Sequence, residues 1–292
     1  MSYKNNPAYK NKIKHIKFET NMIKHIDRLL LVGAGKMGSA MLNGWLKAGL
    51  NPNGVYVQDP HITPDMAQYL QQNNVAFGDA APAIFNPEVI ILAVKPQVMD
   101  AVLPHLKAFT NPKSLFISVA AGKKINSYEN ILGSDANIIR LMPNTPAAIG
   151  DGMSVLVGNK NASQHHKKLA LALARTVGLA EYIDDESLMD AVTALSGSGP
   201  AYVFHMAEAM TKAGVEAGLP KPLAHTLALQ TIKGAGNLMA QSDDHPSILR
   251  QNVTSPKGTT AAGLDILMGN NALEKLMIKT IAAAKQRGEE LG

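Results

Sequence analysis

Three glycines at a fixed spacing form the sequence Gly33-Ala-Gly35-Lys-Met-Gly38, which follows an apolar stretch and precedes a helical pattern over Ser39–Ala48. In such a loop the first glycine permits a tight turn, the second lets a pyrophosphate approach the main chain, and the third allows close helix–strand packing. The free N–H groups at the helix start then face the anion. The pattern predicts a dinucleotide-binding site, with an ordinary glycine-rich turn as the alternative. A Walker A loop is excluded, because no Gly-Lys-Ser/Thr follows at the required spacing.

An acidic residue, Asp59, ends the second apolar stretch, 26 residues after Gly33. An acid at this position typically accepts hydrogen bonds from the ribose hydroxyls of NAD and repels the 2′-phosphate of NADP. No arginine stands beside it, and His61 is the nearest group that could become cationic. The local chemistry therefore favours NAD(H) slightly, while a turn residue before Pro60 is the alternative interpretation.

Two further sets of polar groups follow apolar stretches. Lys95 closes residues 89–95 and precedes a proline, and Asn144 and Thr145 lie between two prolines after residues 137–143. Because ligands bind at the carboxyl ends of parallel strands, Lys95 and the Asn144 loop are expected to meet cofactor or substrate. The alternatives are a solvated lysine and a rigid turn.

The sequence Ser255-Pro-Lys-Gly-Thr259-Thr260 precedes an apolar helical pattern that begins at about Ala261. Hydroxyl groups together with the free amides of a helix start form a small anion pocket, and a substrate carboxylate suits it. Side-chain capping of the helix alone is the alternative.

Other chemistries fail on residue type or spacing. There is no cysteine, which excludes disulfides, thiolate catalysis and cysteine metal sites. Ser198 lacks the glycine two residues earlier that a hydrolase nucleophile elbow needs. No HExxH or EF-hand pattern occurs, so no metal site is predicted. The pair His165-His166 lies in a polar stretch and is expected on the surface, and Asp184-Asp185-Glu186 has the character of a helix start.

The elements that must position these groups fall into two regions that differ in composition and apolar pattern. Between residues 28 and 185, short apolar stretches alternate with helical patterns, which predicts an α/β Rossmann-type parallel sheet with helices on both faces. From about 186 to 292, Ala, Met, Leu and Lys dominate without strand alternation, which predicts an all-α domain of four to six helices. The predicted strands are 28–33, 54–59, 89–95, 114–120, 137–143 and 153–158.

The positive charge is confined to the beginning of the chain. Residues 1–28 contain seven Lys/Arg and two Asp/Glu, whereas the remaining 264 residues contain equal numbers of both, so the net +5 belongs to the first segment. A balanced body gives no support for nucleic-acid binding. Residues 1–27 are predicted to be a basic, disordered leader, and translation from Met22 is an open hypothesis. No apolar run approaches the ~18 residues that span a bilayer, and a cytoplasmic location is expected.

Taken together, several stretches resemble the pyrroline-5-carboxylate reductase family, in the family's order, from residue 29 to about 285. The 16 residues that end at Thr260 correspond to the family's signature region and carry the most specific part of the resemblance. The matching pieces are GAGKMG (33–38), AVKPQ (93–97), SVAAG (118–122), RLMPNTPA (140–147), LSGSGPAYVF (195–204), EAGLP (216–220) and HPSILRQNVTSPKGTT (245–260).

The resemblance implies a Rossmann domain, a helical dimerisation domain and an interlocked homodimer whose helical domains supply substrate contacts across the subunit boundary. It implies that the glycine loop holds the pyrophosphate, that residues at 93–95 and the Asn144 loop border the nicotinamide, and that the Ser255 loop holds the substrate. The implied cofactor residues are Gly33, Gly35, Lys36, Met37, Gly38, Asp59, Ala93, Lys95 and Asn144. The implied substrate residues are Asp243, Ser255, Gly258, Thr259 and Thr260, with Thr260 and Ser255 as the catalytic pair.

Three positions depart from the family pattern. Lys257 stands where the signature usually has glycine or another small residue, and Asp243 stands where a glutamate is frequent. Asp59 occupies a position where many members carry polar or basic residues suited to NADP. The family favours NADPH, so Asp59 points this chain toward NADH.

The resulting hypothesis is hydride transfer from NAD(P)H to 1-pyrroline-5-carboxylate, which gives L-proline, the last step of proline biosynthesis. The first alternative is another two-domain imine or 3-hydroxyacid reductase, which would use a catalytic lysine on a helix of the second domain. Lys212 and Lys233 lie in helical patterns but not in such a motif. The second alternative is a non-enzymatic nucleotide-binding protein, which would not need the Ser255 loop. Expected partners are the small-molecule substrate and a second copy of the chain, with neither nucleic acid nor membrane.

Overall fold

The computed structural model describes residues 21–292, which form two compact units. The α/β unit comprises residues 21–197 together with Lys285–Gly292, and the helical unit comprises Ser198–Ala284.

Eight strands of the α/β unit form one sheet in the order β3-β2-β1-β4-β5-β6-β7-β8. The strand order reverses at β1, which lies between β2 and β4, and ligands of open α/β sheets bind outside the carboxyl ends at such a switch point. The strands are β1 (Leu29–Val32), β2 (Val55–Gln58), β3 (Ala76–Gly78), β4 (Val89–Leu92), β5 (Leu115–Ser118), β6 (Asn137–Met142), β7 (Gly152–Gly158) and β8 (Gly178–Tyr182).

Helices connect these strands, and five helices of 7 to 21 residues follow the short helices after β8. In the α/β unit they are α1 (Lys36–Lys47), α2 (Pro64–Gln72), α3 (Pro96–Leu106), α4 (Ile125–Leu132), α5 (Gln164–Arg175), α6 (Met189–Val192) and a π-helix (Thr193–Gly197). The later helices are α7 (Gly199–Glu216), α8 (Lys221–Gln241), α9 (Pro246–Asn252), α10 (Thr259–Met268) and α11 (Ala272–Leu291).

The sheet is buried on both faces, as its continuous apolar strands predict. In β1, Leu29 and Leu31 belong to the core on one face, and Leu30 and Val32 belong to the core on the other. None of the four is more than 2% exposed. The prediction of a Rossmann-type sheet followed by helices is confirmed.

Three details of the predicted sheet are wrong. The β6–β7 pair is antiparallel, whereas every other neighbouring pair is parallel. The edge strands β3 and β8 were not predicted, because β3 has only three residues and β8 alternates around one buried alanine, Ala180. The strand predicted over 89–95 ends at Leu92, since Pro96 begins a helix and Lys95 is its N-cap.

Part of the predicted leader is folded. Residues 1–20 lie outside the described part of the chain, but Ile23 is 0% exposed and Ile26 is 3% exposed, both in the core on one sheet face. The main-chain N–H of Asp27 also donates to Glu88 Oε1 at 2.6 Å. Two isoleucines in an otherwise polar segment gave too weak a periodic signal to be recognised as core.

The boundary between the two compact units lies after Gly197, whereas the change in sequence composition predicted a domain boundary at 185–186. Segment 186–197 stays with the sheet because Arg140 Nη1 on β6 donates to Glu186 Oε1 at 2.6 Å, and the N–H of Ile125 donates to the same oxygen at 2.8 Å. Met189, one turn later, is buried.

The end of α11 also belongs to the α/β unit. A Cβ added to Gly288 would lie 3.2 Å from Asp190 Oδ1, and one added to Gly122 would lie 3.4 Å from Leu291 Cβ. The last helical turns therefore pack closely on α6 and on the loop that follows β5.

The helical unit buries little of its apolar surface within one chain. Its only buried hydrophobic residues are Ala224 and Ala228, whereas Phe204 is 62% exposed and Ile266 is 78% exposed. An exposed apolar surface of this extent is typical of an association surface. Across residues 21–292, no helix combines the length and apolar character needed to cross a bilayer.

Candidate active site

The glycine loop is held tightly between β1 and β4. Gly33 has φ +96°, and a Cβ on it would lie 2.8 Å from the carbonyl oxygen of Ala93. A Cβ on Gly38 would lie 2.2 Å from the carbonyl oxygen of Gly33, so only glycine permits α1 to approach the loop this closely. The mechanical roles expected of the first and third glycines match these contacts.

The start of α1 is open toward an anion. The helix begins at Lys36, three residues earlier than expected, so Lys36, Met37 and Gly38 form its first turn. Gly35 is the N-cap and supplies no side-chain cap, and a Cβ on it would meet no atom within 4 Å. Uncapped amides facing open space fit a pyrophosphate group.

Asp59 lies directly after β2 and is fixed by two main-chain donors. Its Oδ2 accepts from the N–H of Ala34 at 2.8 Å, and its Oδ1 accepts from the N–H of His61 at 2.8 Å. The side chain is half-buried. A carboxylate is therefore held against the glycine loop at the edge where a ribose would follow the pyrophosphate.

Ala93 and Lys95 follow the neighbouring strand β4. The N–H of Ala93 donates to the carbonyl of Val32 at 2.8 Å, which keeps the ends of β1 and β4 together. Lys95 is exposed and is the N-cap of α3. Both residues lie outside the carboxyl end of the sheet next to the switch point.

Asn144 follows β6 at the same edge, and its amide is engaged at both ends. Nδ2 donates to the carbonyl of Ser196 at 3.2 Å and lies 3.4 Å from Ser196 Oγ, while Oδ1 accepts from the N–H of Met153 at 2.8 Å. Ser196 belongs to the π-helix. Sequence reasoning missed Ser196, although the nearby Pro200, which cannot donate a main-chain hydrogen bond, was a usable signal.

In the helical unit, the predicted anion loop is a tight turn before α10. The N–H of Gly258 donates to the carbonyl of Ser255 at 3.0 Å, and Lys257 has φ +60°. Gly258 is the N-cap of α10 and no side chain caps the helix. The alternative of side-chain capping is therefore wrong, and the first amides of α10 are left uncapped beside the exposed hydroxyls of Thr259 and Thr260.

Asp243 lies between α8 and α9, two residues before His245. His245 is the N-cap of α9 and its Nδ1 accepts from the N–H of Ser247 at 3.3 Å. Both side chains are exposed. His245 therefore has a structural role at the start of α9.

Two buried titratable groups have shifted pKa values. Burial raises the pKa of Tyr128 to about 12, and its hydroxyl lies 2.5 Å from Ser118 Oγ. His166 is 8% exposed, so the expectation that both histidines of the pair lie on the surface is wrong for it. His166 completes a capping box with Ser163, and burial followed by the neighbouring His165 lowers its pKa.

Comparison with known proteins covers both units. Residues 186–291 match the family model described as pyrroline-5-carboxylate reductase dimerisation, and residues 28–122 match the model described as NADP oxidoreductase coenzyme F420-dependent. The pyrroline-5-carboxylate reductase of Pseudomonas aeruginosa is 38% identical over 270 residues, which cover 90% of this chain and 96% of that protein. The Synechocystis enzyme is 40% identical over 269 residues, which cover 91% and 98%.

The chain belongs to the pyrroline-5-carboxylate reductase family. Solved structures agree with this assignment. The pyrroline-5-carboxylate reductase of Coxiella burnetii has a TM-score of 0.84 at 33% identity and covers 91% of this chain and 99% of that one. The Plasmodium falciparum pyrroline carboxylate reductase with NADP bound has a TM-score of 0.79 at 31% identity and covers 92% and 99%.

As a pyrroline-5-carboxylate reductase, the protein is an NAD(P)H-dependent oxidoreductase that reduces 1-pyrroline-5-carboxylate to L-proline, the last step of proline biosynthesis. Its dimerisation domain mediates self-association, which accounts for the exposed apolar side chains of the helical unit. The alternatives of another imine or 3-hydroxyacid reductase and of a non-enzymatic binding protein are not supported.

Proposed function

We propose that the cofactor half of the site consists of Gly33, Gly35, Lys36, Met37 and Gly38 around the pyrophosphate. The uncapped start of α1 and the open space at Gly35 support this assignment. When bound, NAD(P)H supplies a hydride to C5 of the cyclic imine. The chain's own residues hold and orient the dinucleotide.

We further propose that Asp59 makes NADH the preferred cofactor. Its carboxylate is fixed by the amides of Ala34 and His61, so it cannot swing away to admit a 2′-phosphate without losing both hydrogen bonds. A fixed negative charge beside the ribose repels a phosphate and accepts from hydroxyl groups. The Plasmodium relative binds NADP, so this preference is a property proposed for this chain alone.

Ala93, Lys95 and the Asn144 loop are proposed to border the nicotinamide. Support comes from their common location at the carboxyl ends of β4 and β6, on the side of the switch point away from β2 and Asp59. Exposed Lys95 adds a positive charge at this edge.

The Ser255 loop is proposed to hold the substrate. The carboxylate of the substrate would accept hydrogen bonds from the uncapped amides that follow Gly258, and the hydroxyls of Ser255 and Thr259 would be further donors. Asp243 is also proposed as a substrate-binding residue. The hydroxyl of Thr260 would contact the ring nitrogen. Ser255 and Thr260 are thus the side chains proposed to touch the reacting molecule.

Hydride addition to the protonated imine requires little acid catalysis from the protein. In the protonated imine, C5 already accepts a hydride, and the electron pair of the C=N bond moves to nitrogen, which keeps its proton as the secondary amine. Orientation is then the main contribution, and well-oriented reactants gain large rate factors. Thr260 is proposed to fix the ring nitrogen and to relay the proton where the imine arrives unprotonated.

The domain assignment of 28–185 for the nucleotide and 186–292 for dimerisation and substrate is retained as a proposal, supported by the family match that begins at residue 186. A cytoplasmic location is proposed from the absence of cysteine. Fractionation of cells that express the native gene, with detection of the protein, tests the location.

The observation that carries the site assignment is that α1 and α10 each begin after a glycine N-cap, Gly35 and Gly258, with no side chain capping the first amides. Gly35→Asp places a carboxylate where the pyrophosphate is proposed to lie and should abolish NADH and NADPH binding. The control is Ile84→Asp, which adds the same carboxylate to the α/β unit at a side chain that is 87% exposed. Normal dinucleotide affinity in Gly35→Asp, measured by cofactor fluorescence, would show that the proposed cofactor site is wrong.

A further inference from the structure

The carbonyl group of Ser196 lacks its ordinary helical partner. A carbonyl in an α-helix accepts from the N–H four residues later, and here that residue is Pro200, which has none. The next residue, Ala201, donates instead to the carbonyl of Ser198 at 3.0 Å. The chain widens into the π-helix Thr193–Gly197 at this point.

Asn144, in the loop after β6, supplies a hydrogen-bond donor to the Ser196 carbonyl. Its Nδ2 donates to the Ser196 carbonyl at 3.2 Å, while its Oδ1 accepts from the N–H of Met153 at the start of β7. Ser196 is partly buried, and a carbonyl that is shielded from water without a partner loses free energy, so the Asn144 amide compensates for Pro200. One side chain thereby joins the loop after β6, the start of β7 and the π-helix.

The π-helix is also packed closely on the carboxyl end of β6. A Cβ on Gly197 would lie 2.5 Å from Met142 Cε. The short helix that follows Asn144, Thr145–Ile149, packs against α1, the helix of the glycine loop. The joined segments therefore border the edge of the sheet at which the dinucleotide is proposed to lie. π-Helical turns are frequent at functional sites.

We infer that Asn144 is a positioning residue for hydride transfer: its amide replaces the donor missing at Pro200 and holds the π-helix as a fixed wall beside the nicotinamide. The inference rests on the proposed assignment of the nicotinamide side to the loops after β4 and β6. The proposed pyrophosphate contact lies at the switch point after β1, and the proposed ribose contact lies beyond it after β2. The wall therefore governs orientation of the reacting ring more than affinity for the dinucleotide.

The test uses Asn144→Ala and Asn144→Asp, with Asn159→Ala as the matched control. Asn159 also bonds main-chain groups at both ends of its amide, but at the amino end of β6, where its Nδ2 donates to Ala136 and its Oδ1 accepts from Ile138. Asn144→Asp keeps the acceptor for Met153 and loses the donor for Ser196. A structural role carried by the Met153 bond would leave this variant like the wild type.

Asn144→Ala and Asn144→Asp should lower kcat about 10–100-fold, because misplacement by about 1 Å costs up to about 10²-fold. The primary deuterium isotope effect on kcat with 4-deuterated NADH should rise as hydride transfer becomes rate-limiting, while the Kd of NADH stays within about threefold. Asn159→Ala should lower the melting temperature and leave kcat and the isotope effect unchanged.

A second experiment restores a main-chain donor for the Ser196 carbonyl. Pro200→Ala returns an N–H four residues after Ser196, so Asn144→Ala combined with Pro200→Ala should recover at least about tenfold in kcat over Asn144→Ala alone. Additive losses in the double variant would contradict the proposed compensation.

Three results would overturn the inference: a lower melting temperature with unchanged kcat, a Kd for NADH weakened as much as kcat/KM, or wild-type kinetics in Asn144→Asp. The second result would make Asn144 a direct cofactor contact. Failure of the underlying cofactor site is separate, because it shows as normal dinucleotide binding in Gly35→Asp whatever the Asn144 variants do.

Discussion

The two units differ in how much of its apolar surface each buries within one chain. In the α/β unit the sheet is buried on both faces, and the glycine loop is fixed by contacts of the same unit, such as the 2.8 Å bond from the N–H of Ala34 to Asp59. In the helical unit, α7, α10 and α11 have no buried residue in the single chain.

The proposed cofactor residues are therefore held in place within one chain, whereas the helix that carries Thr259 and Thr260 exposes its apolar side chains, and we expect self-association to cover them. Dimer interfaces resemble a domain core divided between two chains, and the exposed side chains of the helical unit fit that description. We therefore expect dinucleotide binding and turnover to respond differently to loss of the assembly.

The largest expected effect follows from charging the exposed apolar surface of α10. Ile266→Asp, at a side chain 78% exposed in the single chain, should dissociate the assembly and abolish turnover while NADH binding persists. Ile84→Asp is the control, since Ile84 is 87% exposed in the α/β unit. Sedimentation, turnover and cofactor fluorescence are the measurements, and an assembled, active Ile266→Asp variant would contradict the comparison.

Thr260→Ala should lower kcat roughly 100-fold without unfolding the protein, because the proposed contact to the ring nitrogen is lost. Thr280→Ala is the matched control: its hydroxyl donates to the carbonyl of Leu276 within α11. Steady-state kinetics and thermal melting test the pair. Wild-type turnover in Thr260→Ala would remove this residue from the substrate half.

Asp59→Ser should shift the ratio of kcat/KM for NADH to that for NADPH roughly 10–100-fold toward NADPH, because a fixed like charge beside the 2′-phosphate is removed. Asp65→Ser, in the exposed first turn of α2, should leave the ratio unchanged. An unaltered ratio in Asp59→Ser would show that the carboxylate only supports the glycine loop.

Lys257→Gly should raise the free energy of unfolding by about 0.5–1 kcal/mol. A side chain in the left-handed region costs about 1–2 kcal/mol, and the greater freedom of glycine in the unfolded chain offsets about 0.5–1 kcal/mol of the gain. Lys257→Ala removes the charge but keeps the strain, so it should not stabilise the protein. Denaturant unfolding of both variants at fixed protein concentration separates strain from charge.

The smallest effect concerns His166, whose pKa is lowered from 6.5 in the folded state by burial and then by His165. The unfolded chain binds a proton at His166 as the pH falls through about 6.5, whereas the folded protein binds it only at lower pH. The free energy of unfolding should therefore decrease as the pH falls from about 6.5 toward the lower pKa of the folded state. His166→Asn should flatten this decline, and His165→Asn, which removes only the second cause of the shift, should flatten it less. Thermal melting from pH 7.5 to 5.5 measures it, and identical slopes in wild type and His166→Asn would contradict the assignment.

Local sequence signals predicted the features that depend on nearby residues. Apolar runs located β1, β2, β4, β5, β6 and β7, and the glycine spacing located the loop at the switch point. The direction of β7 was not predictable, because strand pairing depends on the path of the chain after Gly150 and not on the apolar pattern of the strand. The strand β3 and the core position of Ile23 carried too few residues to form a pattern.

The sequence pattern did not predict which residues distant in the chain form hydrogen bonds with the site residues. The site residues were predicted by type, but the bond from Asn144 to Ser196 joins residues 52 apart, and the bond that fixes Asp59 reaches back 25 residues to Ala34. Lys257 was recognised as unusual from its residue type, and only the backbone geometry shows that it occupies a left-handed position.

A dilution series of the wild-type protein tests the central comparison most directly. Sedimentation, NADH fluorescence and pyrroline-5-carboxylate-dependent NADH oxidation would be followed at the same protein concentrations. Specific activity should fall as the assembly dissociates, while the Kd of NADH for each chain stays constant. A dissociated chain that keeps full turnover, or that loses NADH binding together with turnover, would contradict the account.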